Sequence, residues 1–167
     1  MAPNVHIEPW SSADRGLLDR CLGDPAMMRD LGGPESAEAL DRRQRRYARR
    51  DSRQYKVVDD ATGAGVGWVG YWPRTSHRER VWEIGWAVVP EFQGRGIART
   101  GAGQVIALAR SEGERRFLHS YPSVANGPSN AICRHLGFTL LREIELEYPP
   151  GHHMLCNDWL LDLHPSM

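Results

Sequence analysis

The stretch Val89–Gly103, VPEFQGRGIARTGAG, decides how the rest of the chain is read. It follows the apolar run VWEIGWAVV (81–89), which Pro90 ends by withholding a backbone donor. From about Arg95 to Arg110 the positions Ala98, Gly101, Val105, Leu108 and Ala109 recur at helical spacing. Glycine weakens a helix, yet Gly94, Gly96, Gly101 and Gly103 all fall here, so their placement answers some other need. A strand that stops at Pro90 and a helix that begins near Arg95 leave unpaired N–H groups from Gly94 to Ala98, through Ile97, at the positive end of the helix dipole. Gly94 and Gly96 take positive φ readily and let an anion approach without a β-carbon in the way. Arg95, Arg99 and Gln93 add side-chain donors around the same anion. The same glycines would also satisfy a tight strand-to-helix turn. A P-loop is disfavoured because no GKS or GKT follows, and the dinucleotide fingerprint GxGxxG is absent.

Outward from that turn, periodicity predicts a strand at VHIEPW (5–10) and a helix from Asp14 to Leu22. A second helix spans Glu35 to Arg50, with Leu40 and Tyr47 as its apolar seam and six arginines, Arg42, Arg43, Arg45, Arg46, Arg49 and Arg50, around the remainder. Two strands split by Asp59–Gly63 form a hairpin, and a polar connector, RTSHRER (74–80), leads into 81–89. On that strand Trp82, Ile84, Trp86 and Val88 share one side, and Glu83, Gly85, Ala87 and Val89 the other. FLHSY (117–121) reads as a short strand, 129–136 as a short helix closed by Gly137, and 138–148 with 154–163 as a last hairpin around Pro149-Pro150-Gly151. The order predicts one α/β or α+β domain over 1–167, a central sheet covered by helices.

Lys plus Arg equals Asp plus Glu at 21 each, so no global field draws the chain to nucleic acid or an anionic membrane. Cys21, Cys133 and Cys156 are odd in number and form no CxxC pair, which argues for free thiols in a reducing compartment. With no apolar run long enough to span a bilayer and no leader pattern, a cytoplasmic, non-membrane protein is expected. His77, His119, His152 and His153 show no HxH or HExxH spacing, so no metal site is expected.

The segment Val88-Val89-Pro90-Glu91-Phe92-Gln93-Gly94-Arg95-Gly96-Ile97-Ala98 resembles the acyl-CoA motif of the GNAT superfamily of N-acyltransferases, where Gln or Arg precedes x-x-Gly-x-Gly/Ala. Asn126-Gly127-Pro128-Ser129-Asn130 through Leu136-Gly137-Phe138 resembles that family's second cofactor-side segment. The pattern is most similar to the branch containing ribosomal-protein amino-terminal acetyltransferases. The resemblance implies a mixed, mostly antiparallel sheet splayed around an acyl-CoA cleft, with acetyl-CoA as cosubstrate. By that analogy the backbone of Trp86 and Val88 bonds the pantetheine arm, and the amides from Gly94 to Ala98 hold the diphosphate. Asn126 reaches the arm from the opposite side, and Ser129 and Asn130 begin the next helix near the thioester.

Amine acylation needs a neutral nitrogen, a route for its proton and a donor for the departing thiolate. Glu83, a carboxylate within an apolar strand, is the candidate base; pairing with Arg78, Arg80 or a neighbouring strand as a partly exposed carboxylate is its structural alternative. Cys133 stands where many members of the family carry a tyrosine acid, and Ser129 is the nearby hydroxyl, either a donor or a helix cap. Met27, Met28, Leu31, Tyr71, Trp72 and Trp82 are candidate acceptor walls, and each is also plausible core. Asp158 and Glu147 attract a cationic acceptor or form cross-strand pairs, the latter being the default. The expected acceptor is a primary amine on a small molecule or a protein amino terminus, with a homodimer possible through the last strands. Three alternatives stay open: an acyl-CoA-binding or RNA-associated module without catalysis, using the arginine-rich helix; a scaffold whose glycines are structural; and a succinyl or other short-acyl transferase, using Arg74, Arg78 or Arg80.

Overall fold

Alternating apolar and polar residues set the strands, and strand pairing then decides where the sheet closes and where it opens. The computed structural model describes residues 2–166. Strand β1 (Val5–Pro9) pairs with β2 (Gln54–Asp59), β2 with β3 (Gly65–Ser76), and β3 with β4 (Glu79–Val88), all antiparallel. Strand β5 (Phe117–Ser120) lies parallel to β4, and β7 (His153–Asp162) runs antiparallel between β5 and β6 (Thr139–Glu147). The sheet order is β1-β2-β3-β4-β5-β7-β6. The predicted mixed, mostly antiparallel sheet flanked by helices is what forms, in the predicted element order.

Helix α3 (Ile97–Glu112) crosses one face of the sheet. Its Gly101 answers part of the glycine question, because a β-carbon there would lie 3.1 Å from Val57 Cγ2, and only bare backbone lets α3 settle this closely on β2. Helices α1 (Arg15–Leu22) and α2 (Ala37–Tyr47) cover β3 from the other face. There an aromatic column extends from Trp10 against Tyr47 (5.7 Å, edge-on) to Trp68 (5.6 Å, stacked) and Trp72 (6.2 Å, stacked). Leu40 and Tyr47 are buried as the α2 seam, while Arg42, Arg45, Arg46, Arg49 and Arg50 point to solvent. Arg43 differs from its neighbours: it bonds Glu35, the Tyr47 hydroxyl (2.9 Å) and the Tyr148 hydroxyl (2.7 Å), tying the β6–β7 turn to α2.

The polar connector 74–80 is instead the end of a long hairpin. Arg74–Ser76 belong to β3 and Glu79–Arg80 to β4, and the turn is made by His77 and Arg78 with φ of 48° and 67°. Neither is the Asn or Gly that such left-handed turn positions favour, so the turn carried no sequence signal.

The sheet opens between β4 and β5. They pair only at Trp82↔Leu118 and Glu83↔His119. Beyond Ser120 the chain leans away toward β7, where Pro122 O accepts from Asn157 N (2.9 Å) and Ser123 bridges to Cys156. The stretch of β4 from Ile84 to Val88 then keeps β3 on one edge, and its other edge is open among the described residues.

Candidate active site

The opening leads into a cleft of about 920 Å³. Trp86 and Val88 line it from one face of β4, and Ala87 and Trp68 from the other, so the cleft passes through the sheet. At one end stands the glycine turn. Gly94 and Gly96 have φ of 74° and 78°, and Gly96 is the N-cap of α3 with no side-chain cap bond. The first amides of α3 therefore have no side-chain cap among the described residues, and no β-carbon at Gly94 or Gly96 shields them. Gln93, Gly94, Gly96, Ile97, Ala98 and Arg99 all line this end.

Two of the predicted cradle side chains are otherwise engaged. Arg95 turns back to Glu91 O (2.9 Å) and covers the Phe92 ring. Gln93 donates to Val88 O (2.9 Å) and touches Met27 Sδ (3.1 Å), so it fixes the strand end and the methionine loop rather than reaching outward. Of the groups expected to form a cradle, the backbone amides and Arg99 are the ones that line the cleft without such an engagement among the described residues.

Across the gap lies α4 (Gly127–His135). Asn126 caps it by accepting from Ser129 N (3.1 Å), so Ser129 is not the cap. Ser129 Oγ instead accepts from Trp86 Nε1 (3.3 Å), bridging the two sides of the splay. Asn126 and Ser129 both line the cleft. Asn130 does not. It is buried, with Nδ2 on Ser123 O (3.0 Å) and Asn126 O (2.7 Å), and Oδ1 taking Asn157 Nδ2 and Trp159 Nε1 at 2.8 Å each. Its place in the motif reflects a buried hub that holds α4 against β7.

Met27, Met28 and Leu31 line the cleft and pack against the core at the same time. Tyr71 and Trp82 are corrections. They meet edge-on (5.1 Å) on the α3 face, the Tyr71 hydroxyl donates to Glu112 Oε2 (2.7 Å), and Arg53 and Arg115 cover Trp82. Trp72 sits on the opposite face, the register partner of Glu83. Gly85 makes room for it: a β-carbon there would be 2.8 Å from Trp72 Cη2 and 3.0 Å from Trp68 Cη2. Trp68, which sequence reading passed over, lines the cleft; its only signal was its place in an apolar strand.

Glu83 occupies the last paired step before the strands part. Its side chain is 18% exposed, and its partner is Arg74 (2.7 Å) of the neighbouring strand β3, one of the partners its structural alternative allowed, rather than Arg78 or Arg80. Burial raises its pKa above the ordinary carboxylate value, with Arg74 pulling the other way. Arg74 is thereby committed to Glu83. Cys133 is fully buried, and burial pushes its thiol up to about 11, so it stands apart from the cleft as a packing residue. Asp158 forms the expected cross-strand contact with Arg142, its register partner, but is fully buried rather than solvated.

Residues 4–139 match the family model described as Acetyltransferase (GNAT) domain. The chain belongs to this family. Among solved structures it is similar to a GNAT-family acetyltransferase from Bacillus anthracis (14% identity, TM-score 0.81, covering 98% of this chain and 97% of that one). It is also similar to a Salmonella typhimurium protein solved with its cofactor acetyl-CoA (19%, 0.78, 98% and 96%). A third is the ribosomal-protein-S5-alanine acetyltransferase from Vibrio fischeri (16%, 0.76, 97% and 94%). That identity lies between the other two, so the shared property is the fold, and the ribosomal-protein branch is not singled out. No helix among the described residues is long and apolar enough to cross a membrane.

Proposed function

We propose that the protein transfers an acetyl group from acetyl-CoA to a primary amine, on a small molecule or a protein amino terminus, by direct attack. The observation that carries this reading is the uncapped, glycine-bounded start of α3 at one end of a cleft that passes through a splayed sheet. An anionic group and an extended amide-bearing arm are together the complement of those two features. The cosubstrate supplies an activated acyl carbon and a thiolate leaving group.

The chain's own residues supply the rest. The α3 amides and Arg99 hold the diphosphate, and the open edge of β4 bonds the arm. Glu83, with its raised pKa, removes a proton from the acceptor ammonium, directly or through one water. Ser129 accepts from Trp86 at Oγ, which leaves its own hydroxyl proton to donate to the departing sulfur. Met27, Met28, Leu31 and Trp68 form an apolar acceptor entrance. Of the three arginines that could take the carboxylate of a longer acyl donor, Arg74 is engaged by Glu83, which leaves that task to Arg78 or Arg80 and favours the acetyl donor.

The test is a matrix of acetyl-, propionyl- and succinyl-CoA against spermidine, tyramine, methionine and an alanine-initiated peptide, read as thiol release and product mass. Acetyl transfer to at least one amine is expected. CoA binding without thiol release for any amine would replace this reading with the ligand-binding one.

A further inference from the structure

A second group of ionisable side chains stands beside Glu83, and the reading above leaves it without a task. His119 on β5 is the register partner of Glu83, and by alternation its side chain lies on the face that carries Trp72. The imidazole is buried, with Nδ1 at 2.7 Å from Asp158 Oδ1. Asp158 is 0% exposed, and its Oδ2 makes no hydrogen bond among the described residues, the Arg142 guanidinium being 3.4 Å away. The His119 ring stacks on Tyr121 (5.6 Å, 8°), the Arg74 guanidinium lies 4.3 Å from the Tyr121 ring centre, and that same guanidinium bonds Glu83. Contacts therefore run without a break from Asp158 through His119, Tyr121 and Arg74 to Glu83.

A carboxylate at Nδ1 fixes the tautomer of a neutral imidazole: the proton sits on Nδ1, and Nε2 keeps its lone pair. A buried aspartate behind a histidine also stabilises the imidazolium when Nε2 takes a proton. The charged groups around the ring are Arg74 from β3, Glu83 from β4, Asp158 from β7 and Arg142 from β6, which itself contacts His77. Two guanidiniums and two carboxylates thus face the ring.

We propose that His119, oriented by Asp158, is the relay that takes from Glu83 the proton of the acceptor ammonium and passes it to solvent. This rests on the reading of Glu83 as base. The ammonium gives one proton to the Glu83 carboxylate. The carboxylic acid hands it, directly or through one water, to His119 Nε2, and the imidazolium releases it to water. The amine, now neutral, forms the C–N bond to the acyl carbon while the C–S bond breaks. Nitrogen's surplus proton goes to the Glu83 carboxylate, which the relay has already emptied and which clears it by the same route, while the sulfur takes the Ser129 hydroxyl proton and water returns one to Ser129, giving amide, free thiol and one net proton to solvent with no change of oxidation state. His119 acts through Glu83 and is a positioning and relay residue.

The experiment uses the full chain and whichever amine of the panel above gives most thiol. Histidine 15N NMR of the wild-type protein should show Nδ1 protonated on the neutral ring of His119, and Asp158→Asn should lose that preference. His119→Gln and His119→Ala should bind CoA within about twofold of wild type and lose turnover on the order of 100-fold, the scale of one proton-transfer group. Added imidazole should restore His119→Ala, more strongly for more basic ring-substituted imidazoles. A purely packing role predicts no dependence on basicity. Wild-type turnover in both variants, or a loss that imidazoles of every basicity leave untouched, would overturn the proposal. Failure is separable from that of Glu83: if Glu83→Gln is impaired and the His119 variants are not, only the relay falls, whereas an unimpaired Glu83→Gln removes the base itself.

Discussion

Substitution at Gly96 tests the anion cradle most directly, because at this position the cost to the fold and the cost to binding separate. Gly96 has φ +78°, and a β-carbon there meets nothing nearer than Pro3 Cδ at 3.6 Å. Packing therefore permits alanine or valine, and the penalty comes from the backbone alone: about 1–2 kcal/mol for a non-glycine residue in the left-handed region, and more for a β-branched one. The chain relieves that strain by rotating the peptide units that flank residue 96, which turns the first α3 amides out of the cleft. Losing one to two hydrogen bonds to a charged phosphate costs about 1.5–3 kcal/mol each, so affinity for CoA falls by at least about 10-fold for one bond. Gly96→Ala and Gly96→Val, measured by calorimetry against CoA and by thermal melting, should show the affinity loss in that order while both remain folded. A Gly96→Val protein with a lowered melting temperature and wild-type CoA affinity would refute the cradle, since the strain would then have been absorbed without moving a ligand-bonding amide.

Three further outcomes follow from the same site. Because burial raises the pKa of Glu83 and the base must be ionised, kcat/KM of the wild type should fall as pH drops through a midpoint above the ordinary carboxylate range. Glu83→Gln should remove that acid limb and about 10²–10⁴ of turnover while leaving CoA affinity unchanged; an unaltered pH profile would take Glu83 out of the mechanism. Cys133→Ala should cost on the order of 1 kcal/mol in denaturant melts and leave turnover within about twofold, the buried thiol at about 11 being no acid of the reaction; a large loss of kcat would contradict this. Gly85→Ala drives a methyl group against Trp72 and Trp68 at 2.8 Å and 3.0 Å, so it should destabilise by about 1–3 kcal/mol and raise KM for the amine with CoA affinity kept. Equal KM values would detach the tryptophan column from the acceptor.

The fold was legible because its signals are local. Period-two runs, a helical stripe after the glycines, and Pro or Gly at most boundaries placed the helices and strands to within a few residues, apart from the distal end of the β3–β4 hairpin. Of the candidate residues, those that the motifs place at backbone turns, Gly94, Gly96 and Asn126, and the loop residues Met27, Met28 and Leu31 line the cleft. Alternation put Trp82 and Trp86 on the same side of β4, yet only Trp86 meets the cleft, because Trp82 lies beside the paired part of β5 and Trp86 beyond it. Period alone does not say where pairing stops. Tyr71 failed for a related reason: an aromatic in a strand shows that a face is buried, not which helix buries it. His119 and Asp158 are 39 residues apart and meet because β7 pairs with β5 after the β6 hairpin, a relation that no spacing rule encodes.

Where β5 stops explains why one sheet holds both halves of the site. Pro122 has no N–H to offer, and its carbonyl and Ser123 are taken by β7, so the chain after Ser120 cannot continue alongside β4. The edge of β4 from Ile84 onward is thereby left with donors and acceptors that lack a strand, and backbone groups in a recessed cleft need partners. Gln93 satisfies the Val88 carbonyl at the far end, next to the α3 amides. Between that point and Glu83 lies a length of open β-edge suited to a guest that carries amides of its own. The pantetheine arm of CoA has two. In the proposed reading, a guest bonded along this edge with its phosphates at α3 would bring its other end toward Glu83, where the strands rejoin, so the same loss of pairing that opens the cleft would also set the direction in which the reactive end points.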